Sequence, residues 1–253
     1  MARYQIIVSY DGTNFYGSQR QGLKRTVQGE LEKALTHIGW AGKSILMAGR
    51  TDTGVHASGQ VAAFDHDWNH DQFRLLKAMN SHLPEDLVVR EISPVAASFH
   101  PRFDAVSRTY RYCLFTSGIR DPLQERYAWR VWPAITSPAS MAEVWQGTHD
   151  FSSFGSPTSS LGSTIRSVKK STWKQHDDEW IFEIEADAFL YRMVRRLVYV
   201  QVAAARGRVD VNDIKVALDG EPEEKERAKH KLPAGLAAPN GLSLIHVKYD
   251  DQD

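Results

Sequence analysis

Polar and apolar residues alternate from the first turn of the chain. Tyr4, Ile6, Val8 and Tyr10 interleave with Arg3, Gln5, Ile7 and Ser9 before Asp11-Gly12, a period of two that ends on a turn signal and predicts a strand. Strands are also predicted at Val61–Phe64, Leu87–Ile92, Thr109–Phe115, Val168–Gln175, Trp180–Ala186 and Leu244–Tyr249, with His176-Asp177-Asp178-Glu179 as a hairpin connection between the fourth and fifth of these. The period changes to that of a helix after Thr26, a candidate N-cap. Val27, Leu31, Leu35 and Ile38 then fall on one face before a stop at Gly39. Residues 189–205 place Leu190, Met193, Val194, Leu197, Val198 and Gln201 at helical spacing, and Asp210–Leu218 forms a shorter helix closed by Gly220. Helices interleaved with strands, at least one pair joined as a hairpin, imply an α+β fold of antiparallel sheet with helices on one face. The stretch Phe151–Thr164 is rich in Ser and Gly and carries no charge; it reads as a long mobile loop unable to pack a core, and such loops are usually functional.

Composition narrows the class. The chain has 253 residues, 42% of them apolar, which allows one large domain or two modest ones. Cys113 stands alone, excluding an intrachain disulfide and a four-cysteine zinc site. No run of 18 apolar residues occurs and Met1-Ala2-Arg3-Tyr4 lacks the apolar core of a signal peptide, so a soluble protein of a reducing compartment, the cytoplasm, is expected. The 31 basic and 31 acidic residues cancel, which by itself counts against a nucleic-acid partner. The distribution is uneven, however. Arg192, Arg195, Arg196, Arg206 and Arg208 lie in a stretch without a single acid, while Glu221–Glu226 and the Asp250-Asp251-Gln252-Asp253 tail are acidic. The acidic run reads as a solvated loop or helix end. With Arg50, Arg102, Arg108 and Arg111, the five arginines could form one basic cleft that the sum conceals.

Candidate chemistry concentrates in three places. Ala48-Gly49-Arg50-Thr51-Asp52-Thr53-Gly54-Val55-His56-Ala57 sets a carboxylate two positions from a cation between glycines, and an Asp held ionised by Arg can act as general base or nucleophile. The same residues also suit a surface turn with a local ion pair. Arg192, Arg195 and Arg196 share one helical face, suited to phosphates, to holding a carboxylate, or simply to solvent. Phe99-His100-Pro101-Arg102-Phe103 and Ser107-Arg108-Thr109-Tyr110-Arg111-Tyr112 interleave aromatics with arginine, as base stacking and phosphate contact require, although Tyr110 and Tyr112 on one strand face equally suit a core. His66 and His70 lack the companions of a metal motif, and no Walker loop, G-x-G-x-x-G or G-x-S-x-G is present.

Taken in order, these segments resemble the TruA family of tRNA pseudouridine synthases nearly end to end. Tyr10–Gln21 is similar to that family's opening motif and Gly49–Ala57 to its active-site loop. Phe99–Phe103, Tyr110–Tyr112, His149–Phe154, Ala188–Arg195 and Ala238–Leu242 follow in family order. The resemblance implies two pseudo-symmetric α+β halves with the active-site cleft between them, here 1–105 carrying the Asp loop and 106–253 carrying the Tyr, Arg and Leu side. It implies Asp52 as the catalytic residue, Arg50 as a contact to the RNA that helps displace the target nucleotide, and Tyr110 stacking on the extruded uracil. Arg195 would orient Asp52, and Leu242 would pack on the other side of the base. It further implies isomerisation of uridine to pseudouridine at positions 38, 39 and 40 of the anticodon stem–loop, by a homodimer with tRNA as partner and without metal, organic cofactor or membrane.

The chain departs from the family at four positions. Ser18 stands where the family usually has Trp, Tyr199 where a Gly is common, Asp187 where Asn is usual and Gly155 where Arg is frequent. Two other functions share parts of this pattern: a catalytically silent tRNA-binding or folding protein, and a nucleoside N-glycosyl hydrolase.

Overall fold

The computed structural model describes residues 1–135, 138, 141–158 and 161–250; Ser159 and Ser160 of the 151–164 stretch and the acidic tail from Asp251 lie outside the described residues. In chain order the elements are β1 (Ala2–Tyr10), α1 (Val27–His37), β2 (Leu46–Met47), β3 (His56–His66), α2 (Gln72–Asn80), β4 (Leu87–Val95) and β5 (Ala105–Thr116). They continue with β6 (Trp129–Val131), β7 (Gly147–Asp150), β8 (Ile165–His176), β9 (Glu179–Ala186), α3 (Met193–Ala205), α4 (Val211–Asp219), α5 (Pro222–Lys231) and β10 (Leu242–Tyr249). The fold is α+β, as the alternating periods predict. Among the described residues no helix is long and apolar enough to cross a membrane. The chain divides into two compact units, Met1–Arg108 with the stretch from Ser243, and Thr109–Leu242.

In the first unit β1 lies between β3 and β4, antiparallel to both, from Ala2↔His66 to Tyr10↔Ala57 on one side and from Arg3↔Val95 to Tyr10↔Leu87 on the other. β2 pairs antiparallel with β3, and β10 adds a short parallel pairing, Ser243↔His56 and Leu244↔Ala57. β3 is buried along nearly its whole length, which explains its run of small residues. Thr26 caps α1 as its sequence suggests, its hydroxyl accepting from Gly29 N at 3.2 Å. Val27, Leu31 and Leu35 are then fully buried, each contributing about 1.5–3 kcal/mol on removal from water. The helix α2 has a similar start, with Asp71 accepting from Arg74 N at 2.8 Å and Leu75 and Met79 buried one turn apart.

The segment between β1 and α1 is clipped to the loop before β4. Arg25 donates two parallel bonds to Asp86, of 2.8 and 2.7 Å, and the Asp86 carbonyl accepts from Asp11 N at 3.0 Å. The guanidinium of Arg25, the largest cause, holds the Asp86 carboxyl below its ordinary value. A depressed carboxyl stabilises the folded state above the unfolded pKa and loses that contribution as pH falls through the folded one. We therefore expect Asp86→Asn to cost about 1 kcal/mol at pH 7, a bidentate charged pair at a half-covered site. The difference between variant and parent in urea unfolding should shrink as pH drops below about 4 and vanish near pH 2. A difference constant from pH 7 to 2 would contradict the ion pair.

In the second unit the sheet order is β5-β9-β8-β7, with β6 parallel to the end of β5. β8 and β9 form the expected hairpin, register His176↔Glu179, with Asp177 in the left-handed region at φ 54°. Trp173, Phe182 and Ile184 face inward, and the Trp173 indole donates to Gln201 Oε1 of α3 at 2.8 Å. That bond satisfies both polar groups in a buried setting.

Two expectations need correction here. Phe151–Thr164 is not a segment unable to pack: Phe151 and Phe154 are 0% and 1% exposed against Trp145, and Phe151 N donates to Thr164 O at 3.0 Å, closing the loop on itself. Its Ser and Gly content masked two aromatic anchors. The helix predicted over 189–205 starts at Met193, because Arg192, at the N-cap position, turns left-handed at φ 62°; its side chain makes no capping bond. Arg192 is thus off the face shared by Arg195 and Arg196, and its guanidinium lies 4.6 Å from the Tyr191 ring centre. Gly155 has a reason in the same place: a Cβ there would stand 2.7 Å from Leu190 Cβ.

Candidate active-site loop and its supports

Asp52 sits half-buried in the connection between β2 and β3, and the backbone around it is tied on both sides. Ala48 N donates to Val61 O at 2.8 Å, and the side-chain amide of Gln60 brackets Gly49, donating to its carbonyl at 2.9 Å and accepting from its N–H at 3.3 Å. Thr51 is held through all of its polar groups. Its N–H donates to Ser18 Oγ at 2.9 Å, its carbonyl accepts from Ser18 N at 3.1 Å, and its hydroxyl shares a 2.8 Å bond with the Tyr10 phenol. Beyond Asp52 the chain turns back at Gly54, φ 77°, with Val55 N donating to Asp52 O at 3.1 Å.

The opening segment supplies most of these supports, and its glycines show why. A Cβ on Gly12 would stand 2.0 Å from Val55 O, and one on Gly17, already at φ 85°, would stand 2.7 Å from Thr51 O. Gly12 N lies 2.9 Å from His56 Nδ1, and the Asp11 carboxylate lies 3.2 Å from the same nitrogen. The Tyr10–Gln21 and Gly49–Ala57 motifs are therefore one packed unit in space. Burial, outweighing the hydrogen bonds from Thr51 and Gln60, pushes the Tyr10 phenol up to about 12, so it stays neutral across the working range of pH.

Arg50, two residues from Asp52, is exposed. Arg108, in contrast, is 9% exposed and spends its donors on the carbonyls of Ala48 at 3.3 Å, Ala105 at 3.1 Å and Arg102, tying the 99–105 turn to the Asp loop. In that turn His100 Nδ1 accepts from Arg102 N at 3.1 Å, and the chain presents Phe103, 75% exposed, beside Arg102.

In the second unit Tyr110 is 8% exposed on β5, meeting the Phe189 ring edge-on at 5.0 Å. Arg195, in the first turn of α3, donates from Nε to Ala237 O at 2.8 Å, while Ala237 N donates back to Arg195 O at 3.1 Å. Tyr112 donates to Ala238 O at 2.7 Å, and the Asn240 amide reaches Ala128 O at 3.1 Å. These anchors fix the strand-entry segment that delivers Leu242, itself 6% exposed. Arg196 donates to the carbonyls of Pro233 and Gly235, and Tyr199 fills the space a Cβ on Gly235 would need, 2.4 Å away. Of the five predicted site residues, Asp52 and Arg50 thus belong to the first unit, and Tyr110, Arg195 and Leu242 to the second.

The arginines expected to line one basic cleft divide by role. Arg111 is paired with Glu183 at 2.7 Å, and Arg206 donates to Pro133 O at 3.0 Å. With Arg108, Arg195 and Arg196 bound to backbone carbonyls, the exposed cations of the set are Arg50, Arg102, Arg192, Arg208 and the Glu183-paired Arg111. A guanidinium carries five donors and is often the cheapest way to satisfy loop carbonyls, which sequence counting cannot distinguish from a phosphate contact. The supports Ser18, Tyr10 and Gln60 were likewise absent from the predicted site. Tyr10 and Ser18 stand in the opening motif and Gln60 is a lone amide among the small residues of β3, but nothing in the sequence ties them to Thr51 or Gly49.

A family model described as tRNA pseudouridine synthase matches residues 6–104 and 141–250. The chain is 39% identical over 257 residues to a protein of Anoxybacillus flavithermus named tRNA pseudouridine synthase A, covering 99% of this chain and 100% of that one. Proteins of the same name from Listeria welshimeri, at 37% identity, and Pseudothermotoga lettingae, at 38%, are covered over their full length by 99% and 98% of this chain. The motifs that packed into one unit around Asp52 lie within the matched regions, and the chain belongs to the TruA family of tRNA pseudouridine synthases.

Proposed function

We propose that this isomerase converts uridine to pseudouridine at positions 38, 39 and 40 of the tRNA anticodon stem–loop, in the cytoplasm, as a homodimer and without metal or organic cofactor. Asp52 is the catalytic carboxylate and Arg50 the RNA contact that helps displace the nucleotide. Tyr110 stacks on the extruded uracil, Leu242 packs against its other side and Arg195 orients Asp52. The reaction breaks the N1–C1′ bond, turns the detached base and joins C5 to C1′; the C5 proton leaves to water and N1 is protonated, so nothing is oxidised or reduced.

Extruding the base from its stack costs a few kcal/mol, which an apolar and aromatic pocket offsets. The observation that carries the reading is the Asp52 loop itself. A surface turn has no need for Gly12, Gly17, Ser18, Tyr10 and Gln60 to immobilise the residues around one carboxylate, whereas a catalytic group must be held to a fraction of an ångström.

The test is tritium release from tRNA labelled at C5 of uridine. Release should follow the number of uridines at positions 38 to 40 and stop when all three are replaced by cytidine. Release that persists after that replacement would overturn the site assignment. Tight tRNA binding without release would favour the silent binding protein, and conversion of free uridine to ribose and uracil the hydrolase.

A further inference from the structure

Ser18 is 1% exposed, and every polar group it carries is engaged. Its carbonyl accepts from Gln28 N at 2.9 Å, one of the N–H groups in the first turn of α1 that no intrahelical carbonyl can reach. Its N–H and hydroxyl hold the carbonyl and N–H of Thr51. The third polar group of Thr51, the hydroxyl, is held by Tyr10 on β1. The residue immediately before Asp52 therefore has no polar atom available for another arrangement, and its position is referred directly to a helix and a central strand.

We propose that Ser18 is a positioning residue for the reaction: with Tyr10 it sets the placement of Asp52 by locking Thr51 to the start of α1 and the end of β1. The inference rests on the reading of Asp52 as the catalytic carboxylate. An isolated Ser in a buried strand–loop turn could be no more than a satisfied filler. Here the bonds are reciprocal, both partners are buried, and the tethered residue adjoins the reacting group. Loss of the hydroxyl leaves the Thr51 N–H without an acceptor, and the loop gains alternatives in which the carboxylate is displaced. Small displacements of this kind reduce rate far more than affinity, because substrate binding draws on many contacts and the chemical step on one geometry.

Three variants on the full chain test this: Ser18→Ala, Ser18→Thr and Tyr10→Phe, each read as single-turnover tritium release at saturating enzyme and as tRNA affinity. Asp52→Ala serves as reference. Ser18→Ala should lower the single-turnover rate by about ten- to hundredfold with tRNA affinity within about twofold, and Ser18→Thr, which keeps the acceptor, should recover most of the loss. Tyr10→Phe should lower the rate in the same way. Because both act through Thr51, the double variant Ser18→Ala with Tyr10→Phe should lose less than the product of the single losses.

The inference is overturned if folded Ser18→Ala keeps a rate within twofold of the parent, if rate and affinity fall together and Ser18→Thr restores neither, or if the losses multiply independently. Should Ser18→Ala fail to fold, Tyr10→Phe decides alone: an unchanged rate overturns the proposal and a selective rate loss supports it. If Asp52→Ala itself remains active, the prior reading fails, and that outcome is distinct from all of these.

Discussion

Asp52→Ala is expected to remove tritium release from tRNA altogether, a loss of at least about ten-thousandfold or roughly 5.5 kcal/mol of barrier. The reason is chemical rather than structural. The backbone bond recorded at Asp52 is made by its carbonyl, which accepts from Val55 N, and this survives in alanine. The residues before and after are fixed by Ser18, Tyr10, Gln60 and Gly12, none of which depends on the Asp52 side chain. The folded variant should bind tRNA about as well as the parent, and Asp52→Asn, which preserves shape, should lose release alike. Residual turnover within a hundredfold of the parent in either variant would remove Asp52 from its role. Loss of tRNA binding in parallel with loss of rate would make it a contact residue instead.

How far the sequence reached is best seen at particular elements. β1, the β8–β9 hairpin and α1 were legible because each buries one face only, so the apolar period survives in the residues: Val27, Leu31 and Leu35, or Tyr4, Ile6, Val8 and Tyr10. β3 was legible only over Val61–Phe64, yet it runs His56–His66. A strand buried on both sides beside close neighbours needs small residues, and Ala, Gly and Ser carry no strand signature. Helix α5 was seen only as an acidic run, since among its residues Ala228 alone is buried. It holds by pairs such as Lys231 with Asp213 at 2.7 Å and Lys225 with Asp150 at 3.2 Å.

For the candidate site, the five residues proposed to carry the chemistry all lie in motifs of the sequence, whereas the supporting roles of Ser18, Tyr10 and Gln60 appear only in the structure. Ser18 and Gln60 act through paired hydrogen bonds to the backbone of Thr51 and Gly49, and Tyr10 through the Thr51 hydroxyl, relations between distant residues that set no spacing in the sequence. The charge balance misled in the same manner. Arg108 and Arg196 count as positive in any sum, but they are committed to carbonyls, and burial lowers the affinity of Arg196 for its proton. The salt dependence expected of tRNA binding should draw chiefly on the exposed cations, Arg50, Arg102, Arg192 and Arg208 among them.

Arg195 offers the second large effect, and the more discriminating one. Arg195→Ala should lower single-turnover tritium release by about a hundredfold, or some 2–3 kcal/mol, with tRNA affinity changed by less than about threefold. The guanidinium stands half-buried in the first turn of α3 with Nε committed to Ala237 O, which fixes the plane of the fork and the direction of its terminal nitrogens. Its charge also reaches the buried Tyr112 phenol, opposing the rise that burial imposes there. A preoriented cation of this kind suits the holding of one carboxylate in line with a reacting carbon. The same Nε bond makes Arg195 a support for the segment 237–242, so Arg195→Ala should also lower the melting temperature by a few degrees, and a rate loss alone would not separate the two roles. Arg195→Lys does separate them. Lysine restores the charge and can reach a carbonyl, but it cannot present two donors in a plane. It should recover most of the melting temperature while remaining at least about tenfold slow. If rate, affinity and stability instead recover together in the lysine variant, Arg195 is a strut for Leu242 and its neighbours, and the orientation of Asp52 must be sought elsewhere.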